Sequence, residues 1–544
     1  LADTLARFPA AYLDDFIARQ ASEVAAIPEA RRREIAETLV ENQRAAYERM
    51  RSGVELLRSN LDARLAFKAM NLAIKSYLEN SQRIEDPHWR PFQLAFILLN
   101  LRGLSDKLSD DREIVDLLFF PTGGGKTEAY LGLAAYQIAL RRLEHPDWLG
   151  SGVSVIMRYT LRLLTLDQLG RAAAMICALE LLRRSDAWKD EQGQPMLGQA
   201  PIEIGLWVGS GATPNKIGGR GQKDVSPPRN AYGKIERYRH KNEAPPAPIT
   251  ECPWCRSAFD RDTYKIAGQR MLINCVNLEC DFSAGRGGLP ILAVDEEIYN
   301  RLPAFIVATV DKFAALPRKG EIGRFFDHVD RIESPGNLQQ LTFYGADAPG
   351  VGRLLDPQRQ CLPPPDLIIQ DELHLISGPL GTVAGLYEAV IDRLASRNIN
   401  GKLRGPKIIA STATVRRADD QIKKLFDRDR TAIFPPPGIS RQNSYFAKVS
   451  TDKRQLRQYV GISALGVGPR KVYLRSIVPL LGAAQKAFVS TVEIGEANPA
   501  DTYMTALCYF NALRELGATR RIVEDEVSTN LRDWAQRRLR MGED

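Results

Sequence analysis

Phe119-Phe120-Pro121-Thr122-Gly123-Gly124-Gly125-Lys126-Thr127-Glu128 is a glycine-rich turn set between an apolar, strand-like run and an amphipathic helical pattern. Strand, tight turn and helix in that order leave little freedom for the local fold. Residues without a Cβ let successive backbone N–H groups curl inward on an anion, and the first turn of the helix adds its positive end. The stretch therefore reads as a phosphate cradle. The Lys126 ammonium can reach β- and γ-phosphates and the Thr127 hydroxyl can ligate Mg²⁺. Thr122, Gly123, Gly124, Gly125, Lys126, Thr127 and Glu128 form the expected nucleotide-binding set. The strict pattern G-x-x-x-x-G-K-[ST] fails at its first position, where Phe120 stands. A bare glycine turn before a helix is the competing reading.

An ATP-hydrolysing site also needs carboxylates at the end of another buried strand. Asp366-Leu367-Ile368-Ile369-Gln370-Asp371-Glu372-Leu373-His374 supplies them, with an apolar run feeding into two acids. Asp371 can hold the metal ion through its water shell, Glu372 can orient and polarise the attacking water, and His374 can sense the γ-phosphate. Taken alone, Asp-Glu after a short apolar run is equally a solvated strand end.

Together, P-T-G-G-G-K-T-E, D-E-L-H and Ser411-Thr412-Ala413-Thr414 resemble motifs I, II and III of superfamily 2 helicases in order and spacing. The resemblance implies RecA-like α/β lobes, ATP with Mg²⁺, and coupling through Thr412, Ala413 and Thr414. Upstream, Trp89-Arg90-Pro91-Phe92-Gln93 resembles the adenine-reading Q motif, with the Gln93 amide on the base edge and Phe92 packed nearby; it reads nearly as well as a helix start. Val153 to Arg162, followed by Gln168, resembles motif Ia, and Ala308 to Phe313 resembles the motif Ib region. These place Thr160, Arg162 and Thr309 at a nucleic-acid backbone. The longer wording, P-T-G-G-G-K-T-E-A-Y-L-G with Q-D-E-L-H-L-I-S-G-P-L-G, is similar to one subfamily, the DrmA-type helicase subunits of the bacterial DISARM phage-defence system. That similarity runs from about Trp89 to Thr414 and implies antiviral defence, DNA as track and a partner protein subunit.

At 544 residues the chain is long enough for several domains, and 44% hydrophobic with 26% charged residues is ordinary for a protein with large cores. No apolar run reaches the length of a membrane span, and no signal peptide is visible, although the chain begins at Leu1 rather than methionine. A net charge of +8 permits nucleic-acid binding without demonstrating it. Among seven cysteines, Cys252-Pro253-Trp254-Cys255 and the looser pair Cys275 and Cys280 have the spacing of a zinc ribbon. Two disulfides or a redox C-x-x-C compete, but a motor working in a reducing cytoplasm favours Zn²⁺. Cys177, Cys361 and Cys508 read as small core residues.

The expected organisation is a helical N-terminal region over 1–85 and a RecA-like first lobe over 86–433. Within that lobe, an insertion over 186–300 carries the zinc ribbon at about 250–284. A Pro-rich linker follows at 434–438, then a partial second RecA-like lobe over 439–544. The insertion's basic stretch, Arg220, Lys223, Arg229, Lys234, Arg237, Arg239 and Lys241 with Tyr232 and Tyr238, suits either a nucleic-acid backbone or solvent. Thr505 to Phe510 followed by Asn511 to Gly517 reads as a strand-to-helix unit resembling motif IV. No motif V or VI follows before Asp544, so poor hydrolysis by this stretch alone is the expectation. The function expected is ATP-driven movement on DNA. An ATP-switched DNA-binding scaffold and an RNA helicase stay open beside it, since the track is chosen by backbone and 2′-hydroxyl contacts.

Overall fold

The computed structural model of the chain describes residues 1–533 except 122, 146, 160–163, 210, 220–228, 242, 335–339, 357–360, 413–417, 441–442, 451–457, 464, 491–497 and 499. It divides into two compact units, Leu1–Val449 and Ser450–Asp544. The first is built on ten strands of interest: β1 (Val115–Phe119), β2 (Val155–Tyr159), β3 (Ile204–Trp207), the antiparallel hairpin β4 (Tyr264–Ala267) and β5 (Arg270–Ile273), β6 (Ile291–Leu292), β7 (Phe305–Thr309), β8 (Leu367–Gln370), β9 (Lys407–Thr412) and β10 (Thr431–Phe434). All but the hairpin form one parallel sheet in the order β10-β1-β9-β8-β2-β7-β3-β6. A parallel sheet is covered on both faces, so its strands read as continuous apolar runs. Leu367-Ile368-Ile369 and Ile408-Ile409-Ala410 are buried throughout.

One face is covered by α1 (Ala2–Ala11), α2 (Ala18–Ala25), α3 (Ala30–Ser59), α4 (Leu61–Asn80), α5 (Pro91–Ser105), α6 (Lys126–Glu144) and α7 (Leu164–Arg184). Further along come α8 (Ala231–Lys241) and, on the other face, α9 (Asp295–Arg301), α10 (Gly378–Ala395) and α11 (Ala418–Phe426). The N-terminal helices share one apolar core with α5, α6 and α7. They are part of the lobe, because α4 turns Ala69, Met70, Ala73 and Ile74 inward along α6 and α7. An ion cluster fastens the same layer to the sheet. Arg49 on α3 grips both oxygens of Asp116 on β1 at 2.7 Å, and Lys407 Nζ lies 2.7 Å from Asp116 Oδ2. Burial pulls the Lys407 ammonium down to about 8, against the attraction of Asp116.

Three expected boundaries shift. The insertion is narrower than 186–300, because β3 and β6 lie within that range and join the sheet beside β7. The prolines at 434–438 do not separate the units. Gln43 Nε2 donates to the Pro437 carbonyl at 2.9 Å and the Ile439 N–H donates to Gln20 Oε1 at 2.8 Å. Tyr445 and Phe446 then bury against Tyr12, Phe16 and Phe434, which keeps the chain on the first unit up to Val449.

The second unit holds α12 (Pro469–Ser490), α13 (Leu513–Ile522) and a short helix Ser528–Arg532 around Ile477, Val478 and Val527. The helix expected after Asn511 is present, but Thr505 to Phe510 forms no strand. A strand needs a neighbour to take up its N–H and C=O groups, and among the described residues of this unit there is none.

Candidate active site and metal centre

The sheet register brings the C-terminal ends of β1, β9 and β8 together: Phe119 pairs with Thr412 and Gln370 with Ala410. Ligands of open α/β sheets bind at such strand ends. The glycine turn leaves β1 there, and Gly125 caps α6 at φ 88°, in the left-handed region that glycine enters without strain. Phe120, standing where the strict pattern has glycine, stacks on Phe92 with ring centroids 3.8 Å apart. It forms the floor of the turn, since a Cβ on Gly124 would come within 2.5 Å of Phe120 Cδ1. The start of α5 ties the turn down from outside. Gln93 Nε2 donates to the Gly125 carbonyl at 2.7 Å, and Arg90 Nη1 donates to the Gly124 carbonyl at 2.6 Å. Phe92 is buried under the turn, so it is not a wall for a base.

Asp371 follows β8 directly. Its Oδ1 accepts from Ser411 Oγ and from the Glu372 N–H at 3.0 Å, and its Oδ2 accepts from the Tyr130 hydroxyl at 2.9 Å. Glu372 sits at φ 49°, a strained conformation for a residue with a Cβ and one that recurs at functional sites. His374 Nδ1 lies 3.3 Å from both Glu372 Oε2 and Thr412 Oγ1. Lys126 Nζ donates to the Thr412 carbonyl at 3.4 Å.

These groups open onto a cleft of about 590 Å³. Lys126, Thr127, Asp371 and Glu372 line it, together with Ile74 and Leu78 of α4, Ile84 and Trp89. Trp89 is held in place by its Nε1–H donating to Asn71 Oδ1 at 2.8 Å. Arg171 of α7 also lines the cleft and pairs with Glu128. The Thr127 hydroxyl and the Asp371 carboxylate, which both contact the Tyr130 hydroxyl, are hard oxygen donors of the kind Mg²⁺ takes, so the residues present fit that ion. Tyr130, Ile74, Leu78 and Arg171 are the site residues that motif reading missed. Only Tyr130 carried a signal, because it stands three residues after Thr127 and so on the same helical face. Burial pushes its phenol well above the usual range, which keeps it a donor.

The four cysteines converge separately. The sulfurs of Cys252, Cys255, Cys275 and Cys280 all lie within 4.8 Å of one another, and none is in a disulfide. Zn–S bonds of about 2.3 Å in a tetrahedron put sulfurs roughly 3.8 Å apart; Cys252 to Cys280 is 4.0 Å and Cys255 to Cys275 is 3.4 Å. The donor set fits one structural Zn²⁺. Each pair sits in a knuckle, with Arg256 N–H returning to the Cys252 carbonyl at 2.9 Å and Ser283 N–H to the Cys280 carbonyl at 3.0 Å. The module is packed into the lobe, since Trp254, Tyr264 and Phe282 join its main core and Arg184 of α7 lies over the Phe282 ring. Parts of the basic stretch serve that packing: Arg239 donates to the Tyr264 carbonyl at 2.7 Å and Tyr238 meets Tyr264 edge-on.

The nucleic-acid residues fare differently. Thr122, Thr160, Arg162, Ala413 and Thr414 lie outside the described residues, as do Arg220 and Lys223. Thr309 is described and is buried in the sheet, with a hydroxyl that has no hydrogen-bond partner among the described residues. Arg158, in the motif Ia strand, is likewise core, paired with Glu388 between the Phe313 and Phe426 rings. Of the lone cysteines, Cys177 is buried but Cys361 is exposed and Cys508 half-buried.

No family model matches the chain. It is 37% identical over 532 residues to the DISARM protein DrmA of Bacillus paralicheniformis, a match covering 92% of this chain and 45% of that one. The chain thus spans less than half the length of the curated relative it matches. Among solved structures it aligns with the crystal structure of the DUF1998 helicase MrfA at 12% identity and a TM-score of 0.32, over 66% of this chain and 32% of that one.

Proposed function

For a chain homologous to DrmA over nearly its whole length, we propose the role of ATP-hydrolysing motor of a superfamily 2 DNA translocase or helicase, acting in antiphage defence in the cytoplasm with a partner subunit. The observation that carries the reading is the convergence of Lys126, Thr127 and Asp371 on one cleft that Ile74, Leu78, Ile84 and Trp89 also line. Adenine suits those apolar side chains, and the triphosphate suits the glycine turn.

Within that reading, the N–H groups of the turn and Lys126 neutralise the charge that grows on the phosphates during in-line transfer. Thr127 and Asp371 would hold Mg²⁺, which would supply further charge compensation to the phosphates. Glu372 orients the attacking water and draws off its proton. His374, between Glu372 and Thr412, links that water to the end of β9. The zinc module staples the lobe and takes no part in the chemistry, because four sulfurs close its coordination shell.

The test is multiple-turnover phosphate release with no nucleic acid, with DNA and with a matched RNA. The reading expects turnover that is slow for this stretch alone and stimulated by DNA well above RNA. Equal stimulation by RNA would turn the assignment to an RNA motor, and turnover indifferent to both would leave an ATP-driven switch.

A further inference from the structure

Tyr130 lies on α6 one turn beyond Thr127, so the two side chains share a helix face. Its hydroxyl touches three groups: Asp371 Oδ2 at 2.9 Å, Thr127 Oγ1 at 3.1 Å and Gln168 Oε1 at 3.4 Å. A phenol has one proton to give, and an ionised carboxylate can only accept, so the proton goes to Asp371 along the shortest contact. Thr127 Oγ1 also lies on the accepting side of the phenol, at 3.1 Å, so one hydroxyl holds the Thr127 and Asp371 oxygens side by side. At the same time Ser411 Oγ and the Glu372 N–H hold the other oxygen of Asp371. The phenol is what fixes Oδ2.

We propose that Tyr130 is a positioning residue for the magnesium–nucleotide site, aiming the Thr127 oxygen and the Asp371 carboxylate at one ion. The proposal rests on the reading of the cleft as a Mg²⁺–ATP site. Motifs I, II and III do not contain Tyr130, and its side chain is almost wholly buried at the wall of the cleft. On α7, Arg171 is tied to α6 through Glu128, and Gln168, one turn before it, places its Oε1 3.4 Å from the phenol oxygen.

The experiment measures affinity for a fluorescent ATP analogue across a Mg²⁺ titration and again in chelator, for the whole chain. Tyr130→Phe keeps the ring and removes the hydroxyl. It should leave affinity in chelator within about two-fold while raising the Mg²⁺ concentration for half-maximal binding roughly ten-fold or more, as loss of a hydrogen bond to a charged group implies. With Mn²⁺ in place of Mg²⁺, the spectrum of the bound ion should broaden. Tyr136→Phe is the control for losing a buried phenol on the same helix; its hydroxyl meets Ser105 Oγ at 2.6 Å, away from the cleft, and its Mg²⁺ dependence should match wild type. A wild-type Mg²⁺ midpoint in Tyr130→Phe overturns the proposal, as does an equal loss of affinity with and without the ion, which would mark a packing role. Failure of the wild-type chain to bind nucleotide under either condition overturns the reading of the cleft itself, and the proposal with it.

Discussion

Replacing Gly53 by alanine tests whether the N-terminal helices belong to the nucleotide site. Helices α3 and α5 cross at Gly53, where a Cβ would lie 1.9 Å from the Leu98 carbonyl oxygen and 2.9 Å from its carbon. A carbon needs about 3.3 Å from a carbonyl oxygen, so the backbones must part by roughly 1.4 Å. The obstacle is main chain on both sides and cannot rotate away. Overpacking of this kind costs about 3 kcal/mol, the upper end of its usual range, and the gain in helix propensity returns up to about 1. The net loss of about 2 kcal/mol should lower the melting temperature by a few degrees. Because the start of α5 holds the glycine turn through Gln93 and Arg90, affinity for an ATP analogue should also fall, by about three- to ten-fold. Scanning fluorimetry and a fluorescent nucleotide titration read both. Gly170→Ala on α7, where a Cβ would meet nothing within 4 Å, is the contrast and should stabilise. If Gly53→Ala melts at or above wild type, propensity alone governs the position and the close crossing is refuted.

Metal analysis of protein purified without chelator should find one zinc per chain. Cys255→Ser should lose it and alter the fluorescence of Trp254, whose Nε1–H donates to Asp281 at 3.0 Å, while nucleotide affinity changes little; zinc-free native protein would contradict the site. Acid should weaken the fold through Asp366. Burial works against its charge, but Arg141, Lys107 and Arg112 outweigh that and hold the carboxyl at about 2, against an ordinary 3.8. A depressed carboxyl stabilises fully above its unfolded value and loses that support as pH falls toward the folded one, here about 2 kcal/mol between pH 3.8 and 2. Urea midpoints at pH 4.5 and 2.5 should therefore converge for wild type and Asp366→Asn; a constant gap between them would refute the contribution.

What could be read in the sequence was local. The glycine turn, the acidic pair after Ile369 and the cysteine spacing each depend on a few neighbouring residues, and the sheet register is what sets the first two side by side. What could not be read depends on distant packing. Ile74 and Leu78 look like any apolar helix positions until α4 lies across α6 and α7. The strand β3 is four residues long and precedes a polar, glycine-rich stretch, so it is lost in the insertion. The prolines after Phe434 have the composition of a linker, and the hydrogen bonds with Gln43 and Gln20, together with the packing of Tyr445 and Phe446, show that the chain stays on the lobe. Thr309 follows an apolar strand as a surface contact would, yet the sheet's cover encloses it.

On the proposed reading, the cleft binds and hydrolyses ATP through Lys126 and Glu372 in separate roles, and ATP binding measured beside turnover in Lys126→Ala and Glu372→Gln separates them. Lys126→Ala removes the charge facing the phosphates and should weaken binding. Glu372→Gln leaves the pocket's shape intact and should bind ATP nearly as wild type while turnover falls by about 10²-fold or more. Near-normal hydrolysis by Glu372→Gln, or unchanged ATP affinity in Lys126→Ala, would contradict the account.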